Sequence, residues 1–365
     1  MNIAIFQSTT VKENSWKDKG ILMKDSVVLI LDKMDYKENE KNYLDTLKSK
    51  YRYVDIVYTE YEDALIRKVR RIKYIGSVLQ HVLYWIKSLN YAKKIMKMNS
   101  SDVICINPIV GIFLGMMNKE NKFDITMCGF LFEPKNNKAY YEARKKIVNK
   151  ALRKIKNVVV YANQEVDYYE NIFPGLNKFH FVQYGIDYLT ENKYSGFLPK
   201  SYIFSGGGSN RDYATLFKAY EMVSKERNVE PLVIATLPKC VENLDTSYVS
   251  IITDVVLETF GDVEKRSDFV VLSLKDTDIS AGHQVMLEAL KNNCVVIVNR
   301  IKAVEDYVDE KQVLFFESGN VDDLKNKIEF VLEHYKEMKE KFSKNSEYYR
   351  EHYMFTSLLD RLMKL

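Results

Sequence analysis

Glycine and proline are scarce in this chain, at 14 and 6 of 365 residues, and there are only four cysteines. So little glycine and proline excludes collagen-like repeats, and the lack of low-complexity stretches argues for a packed globular chain. Cys105, Cys128, Cys240 and Cys294 stand far apart in or beside apolar strand-like runs, with no Cys-x-x-Cys pair and no Cys/His ligand spacing. That pattern excludes a disulfide scaffold and a zinc module, and the thiols read as reduced structural residues of a cytosolic protein. No run approaches the ~18 uninterrupted apolar residues of a membrane span. The opening MNIAIFQSTTVKENSW has neither the long apolar core nor the small-residue cleavage site of a secretory signal.

Tyrosine and lysine are plentiful, and charge is unevenly spread. Residues 1–190 carry 31 Lys/Arg against 21 Asp/Glu, while the remainder carries 23 against 29. The basic excess sits in two stretches. RKVRRIKYIGSVLQHVLYWIKSLNYAKK joins Arg67, Lys68, Arg70, Arg71 and Lys73 to Tyr74, Tyr84 and Trp85, and EARKKIVNKALRKIK is a basic helix. Such helices suit an anionic membrane surface, or are core helices with a basic outer face. A net charge of +4 and an acidic second half argue against nucleic acid as a partner.

The length fits two domains of ordinary size. NIAIF, SVVLILD, VDIVYT, DVICINP, FDITMCGFLF, NVVVYA and KFHFVQYG read as strands, separated by helices near 37–50, from Val110, at 138–154 and over EVDYYENIF. Gly185–Pro199 reads as a linker, after which SYIFSG, EPLVIAT, VSIIT, DFVVLSL and CVVIVNR alternate with helices and end in the long VDDLKNKIEFVLEHYKEMKEKFSK. Alternation of this kind predicts α/β domains with mainly parallel sheets.

Two loops carry the chemistry. SYIFSGGGSNRD runs from a strand through Gly206, Gly207, Gly208 and Ser209 to Arg211 and a helix start. Backbone N–H groups and a guanidinium at a helix N-terminus suit a phosphate. The spacing matches neither the dinucleotide fingerprint nor the P-loop, and a capped tight turn is the plain alternative. The second loop, KDTDISAGHQVMLEAL, places Ser280, Ala281, Gly282, His283 and Gln284 at a helix start with Glu288 further inside. Two phosphate-type loops at the carboxyl ends of strands suggest a nucleoside diphosphate. Asp276-Thr277-Asp278 has the spacing of a divalent-cation site, but beside this helix start it reads as a solvated loop, so no metal is assigned.

The pair FSGGGSNRDYATLFKA and SAGHQVMLEALKNNCVVIVNRIKAVEDYV resembles the donor half of GT-B glycosyltransferases, in particular glycosyltransferase family 4 of the bacterial polysaccharide-assembly type. The resemblance covers residues 155–365, and the first 150 only in architecture. It implies an α/β protein of two Rossmann-like doubly wound domains facing a cleft. An acceptor-binding domain would span 1–185 and a donor domain 186–345, with 346–365, SEYYREHYMFTSLLDRLMKL, returning to the first. It also implies transfer of a sugar from a nucleotide diphosphate sugar to a saccharide acceptor, lipid-linked, in cell-surface polysaccharide synthesis. The anomeric configuration would be retained and no cofactor required. The protein would be cytoplasmic, peripheral on the inner face of the membrane.

Carried over by position, the Gly206–Ser209 backbone and Arg211 face the diphosphate, and Gly208 stands where the family commonly has Arg. Glu288 matches the second glutamate of the family's pair, which binds the ribose, while Ser280 replaces the first. Gly282 and His283 offer amides, and Thr253 and Asp254 flank the base. Cys128 takes the place of a His near the acceptor, and Glu133 is the nearest carboxylate there. Arg211, Glu133 and His283 are the residues assigned to catalysis, with charge stabilisation of the leaving diphosphate as the main device. One alternative is a sugar-nucleotide epimerase of similar fold, which would require acid/base residues at the donor sugar, and another is a non-catalytic partner retaining the donor pocket, which Gly208 and Ser280 leave open.

Overall fold

The computed structural model describes residues 24–32, 39–61, 64–70, 76–187 and 192–365. The strand assigned to NIAIF, together with Arg71, Lys73, Tyr74 and the side chains of Arg67 and Arg70, lies outside the described residues. The chain divides into two compact units, 1–159 with 175–180 and 359–365, and 160–174 with 181–358.

The first sheet contains β1 (Lys24–Asp32), β2 (Tyr51–Thr59), β3 (Asp102–Cys105), β4 (Asp124–Cys128), β5 (Asn157–Val160) and β6 (Phe179–Phe181), in the order β2-β1-β3-β4-β5-β6. The helices between them are α1 (Glu40–Lys48), α2 (Ala64–Arg70), α3 (Gly76–Ile95), α4 (Pro108–Met117), α5 (Lys138–Leu152) and α6 (Gln164–Ile172). Val27 to Leu31 are almost wholly buried, the unbroken apolar run that a parallel strand covered on both faces requires.

The second sheet is built from β7 (Ile203–Gly206), β8 (Leu232–Ala235), β9 (Val249–Ile252), β10 (Phe269–Leu272), β11 (Val295–Arg300) and β12 (Leu314–Glu317), in the order β12-β11-β10-β7-β8-β9. Every pair in it is parallel, so all its carboxyl ends lie along one edge. The helices that follow are α7 (Tyr213–Glu226), α8 (Leu257–Lys265), α9 (His283–Lys291), α10 (Lys302–Glu305), α11 (Val321–Glu333), α12 (Tyr335–Lys341), α13 (Asn345–His352) and α14 (Phe355–Leu362), the last of which passes into the first unit at residue 359. Alternation along the strands feeds two cores: Phe204, Val270, Leu272, Val296 and Val298 enter one, Ile203, Phe269, Val271, Val295 and Ile297 the other.

The expected α/β architecture of two parallel, doubly wound sheets is therefore present. β12 and α10 are additions to the sequence reading, and the long closing helix is broken at His334. There the imidazole Nδ1 faces the Phe330 carbonyl at 3.0 Å and the ring stacks on Phe330, closing α11 without glycine or proline. The assigned linker begins as packed chain. Ile186 N donates to the Tyr353 carbonyl at 2.9 Å, and a Cβ at Gly185 would lie 2.6 Å from the Met354 carbonyl oxygen.

Two buried side chains fix the carboxyl edge of the second sheet. Asn299, on β11, accepts from Leu274 N and donates to Leu274 O, both at 2.8 Å. Replacing it with Ala leaves both backbone groups buried and unpaired, a loss of roughly 2–3 kcal/mol that urea unfolding should show. His283 donates from Nε2 to the Ala303 carbonyl at 3.0 Å, and burial pushes its pKa from 6.5 down to about 4. The unfolded chain thus takes up the proton first, so this contribution is whole above pH 6.5 and is lost as pH falls toward 4. Between pH 7.5 and 5.0 it should amount to about 2 kcal/mol. His283→Gln should be that much less acid-sensitive in paired urea titrations, and equal slopes would refute the assignment.

Candidate functional site

The direction of strand addition reverses between β7 and β10, where the connections leave in opposite directions and open a crevice. Both sequence-predicted loops emerge at that point. In the first, Gly207 adopts φ +105°, which calls for glycine, and a Cβ on it would lie 2.4 Å from Arg211 Nη2 and push the guanidinium aside. The Gly207 carbonyl accepts from Tyr213 Oη at 2.6 Å and Thr236 Oγ1 at 2.9 Å, which turns it away from the loop's outer surface. Gly208 and Ser209 are exposed. At Gly208, where the resemblance implies Arg, a Cβ would meet only Cys240 Sγ at 3.7 Å, so the backbone there does not demand glycine.

Arg211 is half-buried and held by backbone, with Nε donating to the Gly206 carbonyl at 2.7 Å and Nη1 to the Ser209 carbonyl at 2.9 Å. No carboxylate pairs with it among the described residues. Burial lowers its pKa, yet a guanidinium stays charged. The result is a positioned cation in no direct ion pair, with buried Glu264 the carboxylate whose charge bears on it from further away.

An antiparallel bridge, Arg211 to Leu274, ties the first loop to the second. Asp212 N donates to the Ser273 carbonyl and Lys275 N to the Asn210 carbonyl, each at 2.9 Å. Beyond it, Asn210 Nδ2 reaches Thr277 Oγ1 at 3.3 Å and the Ile279 carbonyl at 3.1 Å. Gly282, at φ +90°, is the N-cap of α9, and a Cβ there would lie 3.4 Å from Arg211 Nη1. The structure thus brings Gly206, Gly207, Gly208, Ser209 and Arg211 together with Ser280, Ala281, Gly282 and His283.

The two helix starts differ. Asp212 caps α7, accepting from Thr215 N at 3.2 Å and Thr215 Oγ1 at 2.6 Å, so the helix start expected to face phosphate is already occupied. No side chain caps α9. The positive helix end open to an anion is therefore that of α9.

The remaining predicted residues fall in several places. The His283 ring is buried against Tyr307, with ring centroids 4.3 Å apart, and its Nε2–H is spent on Ala303. That makes the ring a support for α9 in place of the acid or base expected from sequence, while its backbone N–H stays at the helix start. Gln284 is exposed and donates to Tyr184 Oη at 3.1 Å, and Glu288 is buried in α9. Thr253 and Asp254 are exposed after β9, on the same sheet edge, and Asp254 accepts from Tyr194 Oη at 2.7 Å. Asp276 and Asp278 are exposed, and no cluster of three His, Cys, Asp or Glu side chains fit to hold a metal occurs among the described residues.

In the first unit Glu133 is exposed and pairs with Lys135 at 3.0 Å, and burial pushes the Cys128 thiol up, leaving it inert. Sequence reading missed Asp32, which ends β1 where that sheet's strand order reverses. Its Oδ1 accepts from Thr59 Oγ1 at 2.5 Å and Asn107 Nδ2 at 2.8 Å. Also missed was the segment before α6. Asn163 N donates to Asp306 Oδ2 at 2.7 Å, Gln164 Nε2 to the Thr277 carbonyl at 2.6 Å, and Ser280 N to Glu165 Oε1 at 2.9 Å. The local signal is an ordinary helix start, and nothing near it in sequence announces partners more than a hundred residues away.

No protein-family description matches the chain, and no curated protein does. Solved structures do resemble it. Sucrose-phosphate synthase from Thermosynechococcus elongatus shares 10% identity over 93% of this chain and 98% of its own, with a TM-score of 0.61. The lipopolysaccharide outer core galactosyltransferase WaaB shares 12% over 93% and 98%, with a TM-score of 0.53. TarM shares 18% over 77% of this chain, with a TM-score of 0.57, and the match spans 57% of TarM's own length. Identities this low speak to architecture, and with the two parallel six-stranded sheets they show that the chain has the GT-B fold.

Proposed function

We propose that this protein is a glycosyltransferase that takes its sugar from a nucleoside diphosphate sugar. The observation that carries the reading is Arg211, a half-buried cation held by two carbonyls and lacking a carboxylate partner, beside an uncapped helix start at the sheet's reversal point. In this reading Arg211, the amides of Gly207 to Ser209 and those at the start of α9 hold the diphosphate, Glu288 the ribose, and Thr253 and Asp254 the base. As the bond from sugar to phosphate breaks, charge grows on the departing oxygen, and fixed positive potential there lowers the barrier. Among the similar structures, a mutant of S. aureus TarM was solved with Fondaparinux, alpha-GlcNAc-glycerol and UDP, and Anabaena HepE with UDP.

The finer proposals are a family 4 enzyme of bacterial cell-surface polysaccharide assembly that moves a hexose or N-acetylhexosamine with retention, without metal. The acceptor is a lipid-linked saccharide bound by the first unit, where Asp32 is better placed than Glu133, lying at that sheet's reversal point with its carboxylate fixed by two donors. An anionic membrane surface accords with α3. Its exposed Val78, Leu79, Val82, Trp85 and Ile86 form one helical stripe that continues into exposed Lys93 and Lys97. Among the described residues no helix is long and apolar enough to cross a membrane.

Calorimetry with UDP, GDP and their sugars, in EDTA and in magnesium, tests the donor reading. Metal-independent binding, weakened about 100-fold by Arg211→Met as expected for a lost charge-assisted contact, supports it, and no binding by folded protein sinks it. For the surface, the partition coefficient from sedimentation with phosphatidylglycerol vesicles should be salt-sensitive and should fall about thirtyfold in Trp85→Ser with Val82→Ser, since each change removes on the order of 1 kcal/mol of buried apolar area. Equal recovery of wild type and variant would remove α3 from the contact.

A further inference from the structure

We infer that Glu165 is a positioning residue that fixes Ser280 as a pure hydrogen-bond acceptor, so that the group carried by the bound anion must present a hydroxyl or N–H to it. The inference rests on the donor reading above and goes further, to what the donor must offer.

Glu165 is only 4% exposed and its carboxylate is saturated. Oε2 accepts from Tyr161 N and Ala162 N, each at 3.0 Å, and Oε1 from Ser280 N at 2.9 Å and Ser280 Oγ at 3.0 Å. Four donors leave it no reason to touch a ligand itself. Burial raises its pKa while all four bonds favour the charged form.

Its effect on Ser280 is specific. A free serine hydroxyl rotates, and can give or take a hydrogen bond. Here the Oγ proton is committed to a carboxylate, so only lone pairs face outward. Ser280 is half-buried, two residues before Gly282, whose Cβ position lies 3.4 Å from Arg211 Nη1. An acceptor thus stands beside a site built for an anion. A phosphate bearing a polyol satisfies both features, whereas a nucleoside diphosphate has only its ribose hydroxyls to offer, which the donor reading gives to Glu288. A carboxylate delivered from α6 through Ser280 accordingly stands where sequence resemblance implied a glutamate, and the two act as a pair.

The test is calorimetric titration of wild type, Ser280→Ala and Glu165→Gln with UDP, UDP-glucose and UDP-N-acetylglucosamine, and with GDP and GDP-mannose. Ser280→Ala keeps the backbone bond to Glu165 and removes only the hydroxyl. It should lose about tenfold in affinity for the nucleotide sugar, the worth of one hydrogen bond, and less than twofold for the matching nucleoside diphosphate. Glu165→Gln frees the Ser280 proton and should show a smaller loss of the same selectivity, because the rotating hydroxyl can still accept but is no longer held to it. A support role alone would weaken both ligands equally, and that result, or no change in Ser280→Ala, overturns the inference. Should Glu165→Gln fail to fold, Ser280→Ala decides alone. Wild-type protein that binds none of the five probes overturns the donor reading itself, and this inference with it.

Discussion

The candidate site depends on one short piece of backbone pairing, the antiparallel bridge between Arg211 and Leu274. β7 and β10 are neighbours in the sheet, but the connections that follow them leave in opposite directions, and nothing in a doubly wound sheet obliges the two loops to keep a fixed distance. The bridge supplies that constraint, and Asn299 holds Leu274 from the other side through both of its backbone groups. Single bonds of this kind contribute about 1 kcal/mol each. Their greater effect is geometric, because Gly207, Arg211 and Gly282 then share one frame.

Within that frame the electrostatics are one-sided. The Gly206 and Ser209 carbonyls aim the guanidinium without pairing its charge, and the carboxylate that bears on it, Glu264, does so without a direct ion pair. Asp212 occupies the start of α7, so the open helix end is that of α9, next to the same cation. Desolvating a cation without an anion is unfavourable. A folded protein tolerates it where the opposite charge arrives with a ligand, and orientation already fixed by the backbone spares the reorganisation that would otherwise oppose charge stabilisation in a transition state.

Much of this was legible in the sequence, and the remainder was hidden for physical reasons. Alternating apolar and helical segments gave the parallel sheets, and a strand running into SGGGSNRD marked a loop that needs bare backbone. Local pattern also predicted that α7 and α9 begin where they do. It did not show which helix start would be capped, because Asp212 reads equally as a cap and as a flanking polar residue. Nor did it show that the His283 ring turns inward, since position one of a helix has no face assigned to it by periodicity. β12 escaped because LFFE is short and lies between charged residues, and its identity as a strand comes from pairing with β11. Glu133 attracted attention as a loop carboxylate and proved to be an exposed partner of Lys135.

The contacts least visible in sequence are those that complete the second unit from chain preceding the assigned linker. Tyr307 Oη accepts from Tyr184 N and donates to the Tyr161 carbonyl, each at 2.7 Å, while its ring packs on His283 at the start of α9. Asn163 holds Asp306, Gln164 holds Thr277, and Glu165 holds Ser280. A fragment beginning at residue 186 would retain all six strands of the second sheet and every glycine of the two loops. It would lack the Glu165 carboxylate that fixes Ser280, and the Tyr184 and Tyr161 backbone groups that bond the Tyr307 hydroxyl. The sheet places the two loops side by side, whereas the segment from 160 to 187 fixes the side chains that complete them.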